Sequence, residues 1–276
     1  MKKKSLLLLI ILSIPGIQSK AQGDLLVTPT RVVFEGNKQK EALNLVNTGK
    51  DTATYSISFL QYNMKEDGSF EIIEKPDSGQ LFANPYLRIF PRQVTLAPGE
   101  PQVIMLQCRR KADMLAGEYR SHLYFRAEKN YKPLGIKDSD KEPTQVSVQI
   151  TPVFGISIPI IIRSGAVNVS STLSNMKLET QQDTINYLRL TLNRSGNCSV
   201  YGNLSIEYFP VKGKPYEIGK VKGVSVYTNT NKRNILIRLN KTSSLTFKEG
   251  KLKVRYTSPD EGKQVVYAEG ELDLRQ

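Results

Sequence analysis

Few residues of this 276-residue chain have the types and spacing that catalysis or metal binding requires. The single histidine, His122, lies in phase with Arg120, Tyr124 and Arg126 on the more polar face of a predicted strand. A general acid–base pair needs a second group, and no second histidine or reactive cysteine is near it in sequence. The sequence therefore predicts no catalytic residues, no metal site and no cofactor, and we expect that the protein is not an enzyme.

The two cysteines, Cys108 and Cys198, are too few for a four-cysteine zinc site. In an oxidising compartment they could pair with each other. The strand pattern places them in different domains, however, so a disulfide would have to cross the linker between them. We predict two unpaired thiols.

The first 21 residues have the pattern of a secretory signal peptide. Three lysines precede the apolar stretch Leu6–Ile14, which Pro15-Gly16 ends, and Ser19-Lys20-Ala21 offers small residues for cleavage. Nine apolar residues are too few to span a membrane, which needs about 20, so an uncleaved anchor is disfavoured. The sequence predicts cleavage after Ala21, export, and no stable membrane insertion.

The chain is basic, with 39 lysines and arginines against 26 acidic residues and a net charge of +13. Loss of the four lysines within residues 1–21 lowers the charge of the mature chain to +9. The basic residues are spread along the chain and are not interleaved with stacking aromatic residues, so no nucleic acid partner is expected. A solvated basic surface and attraction to an acidic protein both remain open.

After residue 22 the sequence consists of short apolar runs about ten residues apart, separated by turn signals such as Asp67-Gly68 and Ala97-Pro98-Gly99. Each run predicts a strand, and two of the predicted strands are Leu25–Phe34 and Tyr86–Leu96. This rhythm is typical of antiparallel β-sandwiches, and the length suits two of them. We predict an all-β fold of two immunoglobulin-like sandwiches, residues 22–163 and 164–276, in a boomerang arrangement. The short linker begins at Ser164-Gly165.

The segment 145–163 is unusual because apolar residues occupy its even positions without interruption. These positions are Val146, Val148, Ile150, Pro152, Phe154, Ile156, Ile158, Ile160 and Ile162. Period-2 patterning of this length predicts one strand near 60 Å long, at about 3.3 Å per residue. Its prolines cannot donate to a ladder, so we expect an edge position along part of its length. Long apolar edges are normally blunted, which suggests that this one is used for binding.

Four stretches of the chain resemble one family. They are Thr30–Gly36 with Arg31 second in the motif, the turn Leu96–Glu100, and the strands Gly117–Arg126 and Ile156–Arg163. Together they resemble the PapD-like periplasmic chaperones of pilus and fimbrial assembly, and most closely the archaic, Csu-type branch. The resemblance covers residues 25–163 well, whereas the second domain is similar only in size and strand rhythm.

The resemblance implies a mechanism of donor-strand complementation, in which the chaperone lends a strand to an incomplete pilus subunit. Counting back from Arg163, the donor residues are Val146, Val148, Ile150, Pro152 and Phe154. The isoleucines from Ile156 to Ile162 would then pack in the chaperone's own core.

The resemblance also implies that Arg31 binds the C-terminal carboxylate of the subunit. The best-known branch of the family has a lysine where this chain has Pro159, so a second cationic anchor is in doubt. Arg120, Arg88 and Arg92 are the candidates for it.

The resemblance thus implies a periplasmic chaperone that stabilises pilus or fimbrial subunits and delivers them to an outer-membrane usher. The alternative is a secreted structural or adhesive β-sandwich protein that self-associates through its long edge strand. Arg31 and the polar loop before the long strand favour the chaperone.

Overall fold

The computed structural model describes residues 25–128, 154–181, 185–240, 249–259 and 264–274. These ranges contain eighteen strands and a single 3-10 turn, Asn84–Tyr86. Among them, no helix has the length and apolar character needed to cross a bilayer. The all-β class predicted from the sequence is confirmed.

The first eleven strands build one sandwich. They are β1 Leu25–Thr28, β2 Val32–Phe34, β3 Lys40–Asn47, β4 Ala53–Leu60, β5 Tyr62–Met64, β6 Phe70–Ile72, β7 Leu87–Phe90, β8 Gln93–Leu96, β9 Pro101–Cys108, β10 Gly117–Ala127 and β11 Gly155–Ser164. One sheet has the order β1-β3-β9-β7 and the other the order β2-β11-β10-β4-β8, while β5 and β6 form a separate hairpin. Alternate side chains of both sheets meet in one apolar core around Phe34, Leu43, Leu106 and Phe125.

Two predicted strands are each divided between the two sheets. The predicted strand Leu25–Phe34 forms β1 in one sheet and β2 in the other, and the break falls at Pro29. The predicted strand Tyr86–Leu96 divides in the same way, into β7 and β8, at Pro91. Proline has no N–H to continue a ladder, so the chain leaves one sheet there and enters the other.

Strand β11 is paired on both sides over only a short stretch. It pairs with β10 along its whole length and with β2, in parallel, only at Ile160–Ile162. Within the described ranges, no strand covers the other edge of β11 before that point, and Pro159 lies in this one-sided part. Of the four predicted core positions, Ile158, Ile160 and Ile162 are buried, and Ile156 is half-buried against the same core.

Seven strands build the second sandwich: β12 Val169–Gln181, β13 Ile185–Gly196, β14 Val200–Phe209, β15 Tyr216–Val226, β16 Lys232–Arg238, β17 Lys251–Thr257 and β18 Val266–Asp273. The sheets have the orders β12-β13-β16 and β15-β14-β17-β18. Their inner faces bury a separate core that includes Leu190, Ile206, Val254 and Tyr256. Each sandwich therefore has its own apolar core.

The chain turns sharply between the two sandwiches at Gly165, whose φ of +62° lies in the left-handed region. A Cβ at this position would approach that of Ala116 to 2.9 Å, so glycine suits the turn for two reasons. Cys108 lies in the first core and Cys198 two residues before β14, and both are buried and free.

Candidate ligand cleft between the two sandwiches

One face of the sheet that contains β2, β11 and β10 is turned toward the second sandwich. In the register of these strands, Val33 and Arg120 flank Ile161, and Glu118 lies opposite Arg163. Side chains alternate along a strand, so Glu118, Arg120 and His122 of β10 share this face, while Leu123 and Phe125 enter the first core. The polar face noted in the sequence is thus a contact surface between the sandwiches.

A buried ion pair within β10 lies at this contact and is bonded to Ser199 of the second sandwich. Arg120 donates from Nη2 to Glu118 Oε1 at 2.6 Å and to the Ser199 hydroxyl at 2.7 Å. Ser199 donates to Glu118 Oε2 from its hydroxyl at 2.8 Å and from its backbone N–H at 3.1 Å. Burial alone would raise the pKa of Glu118, but the Arg120 charge and the bonds from Ser199 outweigh it, so this pKa lies below its ordinary value.

Replacing Glu118 by glutamine is expected to lower the free energy of unfolding by about 3–5 kcal/mol, because it leaves Arg120 charged, buried and unpaired. A carboxyl group whose pKa is lower in the folded than in the unfolded state stabilises the protein at neutral pH. This contribution is lost as the pH falls below the ordinary pKa of glutamate. The difference between wild type and Glu118→Gln should therefore shrink on acidification below about pH 4.5.

The matched control for this change is Glu179→Gln, which breaks the exposed pair that Glu179 forms with Arg189 at 2.7 Å. An exposed pair contributes about 0–1 kcal/mol. Urea unfolding of the three proteins at pH 7 measures the difference. If Glu118→Gln and Glu179→Gln lowered the free energy of unfolding equally, the Glu118–Arg120 pair would not be stabilising the contact between the sandwiches.

His122 lies beside this pair in an aromatic cluster. Its Nε2 is 3.2 Å from the hydroxyl of Tyr227, and the Arg120 guanidinium carbon lies 3.8 Å from the centre of the Tyr227 ring. Burial, followed by the charges of Arg120 and Arg31, lowers the pKa of His122 to about 3. The imidazole therefore stays neutral at physiological pH and has a structural role in this contact.

The folded-state pKa of His122 lies below the ordinary value of 6.5. Below pH 6.5 the imidazole is therefore protonated in the unfolded chain and stays neutral in the folded protein. Stability should therefore fall as the pH drops through 6.5, with a loss of about 2 kcal/mol between pH 7 and pH 5. His122→Gln, which removes the only histidine, should abolish this loss. Denaturant titrations at both pH values measure it. An unchanged pH dependence in the variant would contradict the burial of a neutral His122.

The β5–β6 hairpin forms a second link between the sandwiches. The backbone N–H of Asn234 donates to the carbonyl of Glu66 at 2.6 Å, and Lys232 pairs with the Glu66 carboxylate at 3.2 Å. The ring of Phe70 lies 5.4 Å from that of Tyr227, centre to centre. Backbone, charged and aromatic contacts together fix the angle at which the two sandwiches meet.

Beside these contacts lies a cleft of about 530 Å³, here called the Arg31 cleft. The first sandwich contributes Arg31, Val33, Glu35 and Arg163, and the second contributes Val167, Asn168, Val169, Cys198, Ser199, Val200, Tyr201, Pro259 and Tyr267. Arg31 comes directly before β2, which holds it at the mouth of the contact between the sheets. Both sandwiches are therefore required to form the cleft.

Arg31 has an aromatic neighbour but no acidic partner among the described residues. Its guanidinium carbon lies 4.3 Å from the centre of the Tyr201 ring, and no carboxylate in those ranges forms an ion pair with it. Burial, followed by the charge of Arg120, lowers its pKa to about 10, so it remains protonated at neutral pH. A partly desolvated cation that forms no ion pair among the described residues is a suitable site for an anion.

The structure distinguishes among the four arginines considered as anchors. Arg31 lies in the cleft, whereas Arg120 is already paired with Glu118. Arg88 is exposed on β7 in the opposite sheet, and Arg92 is exposed between β7 and β8. Arg163 also lines the cleft, where it pairs with Glu35 at 3.2 Å. The second cation of the cleft is therefore Arg163, which the sequence analysis used only to set the register.

The donor positions are only partly described. Val146, Val148, Ile150 and Pro152 lie outside the described residues. Phe154 directly precedes β11, and 43% of its surface is exposed although the residue is large and apolar. This exposure agrees with a side chain that serves a partner, and the roles of all five residues stay predictions.

Sequence reasoning did not find Ser199, Tyr201 or Tyr227, which complete the contact from the second sandwich. Their partners lie about 80 to 170 positions away in the chain, as in the bond from Ser199 to Glu118, and no local pattern encodes such a pairing. Strand alternation alone could have placed Glu118 beside Arg120. Among the described residues, no cluster of three or more His, Cys, Asp or Glu side chains could hold a metal ion.

The chain matches no family model and no curated protein. Among solved structures it is similar to the YadV chaperone, with 12% identity, a TM-score of 0.46, and coverage of 91% of this chain and 100% of that one. It is also similar to the CsuC–CsuE chaperone–tip adhesion subunit complex of Acinetobacter baumannii, with 15% identity, a TM-score of 0.45 and coverage of 88% and 98%. The chain is also similar to the CupB2 chaperone of Pseudomonas aeruginosa, with 13% identity, a TM-score of 0.44, and coverage of 90% of this chain and 100% of that one.

Proposed function

We propose that this chain is a periplasmic chaperone that binds incomplete pilus or fimbrial subunits by donor-strand complementation and delivers them to an outer-membrane usher. The observation that carries the proposal is the position of Arg31, a desolvated arginine without an acidic partner among the described residues, in a cleft walled by both sandwiches. In this proposal Arg31 holds the C-terminal carboxylate of the subunit.

The chemistry of the cleft suits a carboxylate. A guanidinium binds two carboxylate oxygens with parallel N–H donors and stays charged over the whole physiological pH range. The Tyr201 ring beside Arg31 shields this pairing from water on one side. A terminal carboxylate can enter such a cleft from its open side because it ends a chain.

The donor strand is supported by the uncovered edge of β11. Between Gly155 and Pro159 this strand pairs with β10 on one side only, within the described ranges. A subunit strand can add to the other edge through backbone hydrogen bonds. The alternating residues Val146, Val148, Ile150, Pro152 and Phe154 would fill the apolar groove of the subunit, while Ile158 and Ile160 hold the strand in the chaperone's own core.

No nucleotide, metal or other cofactor is needed for this function. Binding exchanges the exposed groove of an unfinished subunit for buried apolar surface, which is favourable in itself. Release is favourable when the groove takes a better-fitting strand during fibre assembly. Residues 1–21 would direct the chain to the periplasm, where it meets both its subunits and the usher.

Purification of the tagged protein from periplasm tests the proposal. The expected result is co-elution of one or more small exported β-proteins in about equimolar amount, identified by mass spectrometry, together with peptides of an outer-membrane barrel. Recovery of the chain alone as a self-associated species would contradict the chaperone function and support the structural or adhesive alternative.

A further inference from the structure

The outward face of the sheet β1-β3-β9-β7 carries exposed apolar side chains on three adjacent strands. Phe90 of β7 lies beside Met105 of β9, which lies beside Ala42 of β3. Val103 follows Met105 on the same side of β9, because alternate side chains of a strand share a face. The exposed fractions of Phe90, Val103 and Met105 are 77%, 47% and 42%. We call these four residues the apolar face.

The outward face of the β14-β17-β18 sheet is covered differently. There Lys253 and Arg255 of β17 pair with Glu269 of β18 at 2.8 and 2.9 Å. Charged pairs of this kind suit a surface that faces water. Exposed apolar side chains that adjoin one another on a soluble protein instead mark a surface on which something docks.

One end of the apolar face is basic. Arg88 of β7 and Lys40 of β3 both lie opposite Gln107 of β9, one row of side chains beyond Met105. All outward-facing residues of β3, β7 and β9 are described, and none of them is acidic. Neither cation forms an ion pair with an acidic residue of the described ranges. A complementary partner therefore brings apolar side chains followed by acidic ones.

The backbone of the sheet restricts the conformation of such a partner. Strand β3 pairs with β1 and β9, and β9 pairs with β3 and β7, so both have neighbours on each side. Their backbone groups are engaged in these ladders. An extended segment laid on the face would bury unpaired N–H and C=O groups of its own, whereas a helix satisfies its backbone internally. An amphipathic helix is the complementary shape.

The size of the face favours one segment over a second copy of the chain. Three strands about 4.8 Å apart, followed from Lys40 to Val46 at about 3.4 Å per residue, present roughly 300 Å². A stable interface buries about 800 Å² on each partner. A second copy would also bring the same excess of basic residues, 39 against 26 acidic ones, to a face that is already basic at one end.

We propose that the apolar face is a docking site for an amphipathic helix of another protein, with two or three acidic residues at one end of that helix. The apolar side of the helix covers Phe90, Met105 and Val103, and its acidic end pairs with Arg88 and Lys40. This inference does not depend on the proposed function, because the face belongs to the sheet opposite the one that contains β2 and β11.

The probes are three fluorescein-labelled peptides of about 18 residues, long enough as helices to cross the face. The first has leucines at helical spacing and three glutamates at one end. The second has glutamines in place of the glutamates, and the third has the residues of the first in scrambled order. At low salt the first should bind the purified protein with a dissociation constant of about 0.01–1 mM. Its affinity should exceed that of the second by about three- to tenfold, and the third should not bind measurably.

Methyl NMR of the methionines locates the bound peptide. The signal of Met105 should shift, and that of Met176, which packs against the second core, should not. Phe90→Gln and Val103→Gln should each weaken binding about fivefold or more, because each removes an exposed apolar contact. Val211→Gln, at an exposed valine between β14 and β15, is the matched control and should bind as wild type does. Circular dichroism melts check that the variants are folded.

A second pair of variants tests the basic end of the face. Arg88→Gln/Lys40→Gln should abolish the preference for the glutamate peptide over the glutamine peptide. The matched control Lys212→Gln/Lys214→Gln, at two exposed lysines between β14 and β15, should retain it.

Four results would overturn the inference. The first is that no peptide binds wild type up to about 5 mM, and the second is equal binding of the glutamate and glutamine peptides. The third is binding to phosphatidylglycerol vesicles that Phe90→Gln abolishes, which would assign the face to a membrane. The fourth is a dimer in sedimentation experiments that the same variant dissociates, which would assign the face to a second copy.

Discussion

Replacing Arg31 by alanine is expected to weaken subunit binding by about 30-fold to several thousand-fold. The guanidinium is half-buried in the cleft beside Tyr201 and forms no ion pair with an acidic residue among the described residues. Truncating one member of a desolvated, hydrogen-bonded charge pair costs about 2–5 kcal/mol, which corresponds to that range. Titration of the purified variant with a subunit, by calorimetry or surface plasmon resonance, measures the loss.

Two further variants make the Arg31 result specific. Arg31→Lys should recover only part of the affinity, because an ammonium cannot reproduce the bidentate fork. Arg88→Ala removes an exposed arginine from the opposite sheet and should change affinity by less than about fivefold. Binding by Arg31→Ala within about threefold of wild type would show that Arg31 is not the carboxylate anchor.

Replacing Ile150 or Val148 by aspartate is expected to abolish subunit binding and leave the chaperone folded. Each change would place a charge in an apolar groove at a cost of several kcal/mol, or about 100-fold or more in affinity. In the free protein the first core uses positions from Ile156 onward, so its stability should not depend on these side chains. Subunit capture and a circular dichroism melt measure the two effects separately.

The matched control for this pair is Ser147→Asp, which adds the same charge on the other face of the predicted strand. It should retain much more binding than Val148→Asp, since its side chain points away from the groove. Undiminished capture by Ile150→Asp with an unchanged melt would be incompatible with a donor strand in this register.

The strands and their facing were largely predictable from the sequence. Period-2 patterning placed the even positions of segment 145–163 on one apolar face, and the resemblance implied that those from Ile156 onward pack in a core. The structure buries Ile158, Ile160 and Ile162 and half-buries Ile156 against the same core. The patterning did not show that Leu25–Phe34 divides between two sheets. A proline within an apolar run is compatible either with an edge strand or with a chain that passes from one sheet to the other. That choice depends on which strands are nearby, and this information is not local.

The cleft was less predictable than the strands. The motif resemblance pointed to Arg31, but nothing near Arg31 in the chain indicated Tyr201 as its neighbour, 170 positions away. Arg120 was a reasonable candidate anchor by residue type alone. Its pairing with Glu118, closed by Ser199 of the other sandwich, neutralises it and leaves Arg31 and Arg163 to line the cleft.

The most direct test of the account is photo-crosslinking from the predicted donor strand in living cells. A benzophenone amino acid at position 150 should cross-link to a small exported β-protein, and mass spectrometry should place the link in that protein's apolar groove. The same amino acid at Ala42, exposed on the outer sheet of the first sandwich, should not give this product. Cross-linking of position 150 to a second copy of this chain, with no subunit product, would contradict the account.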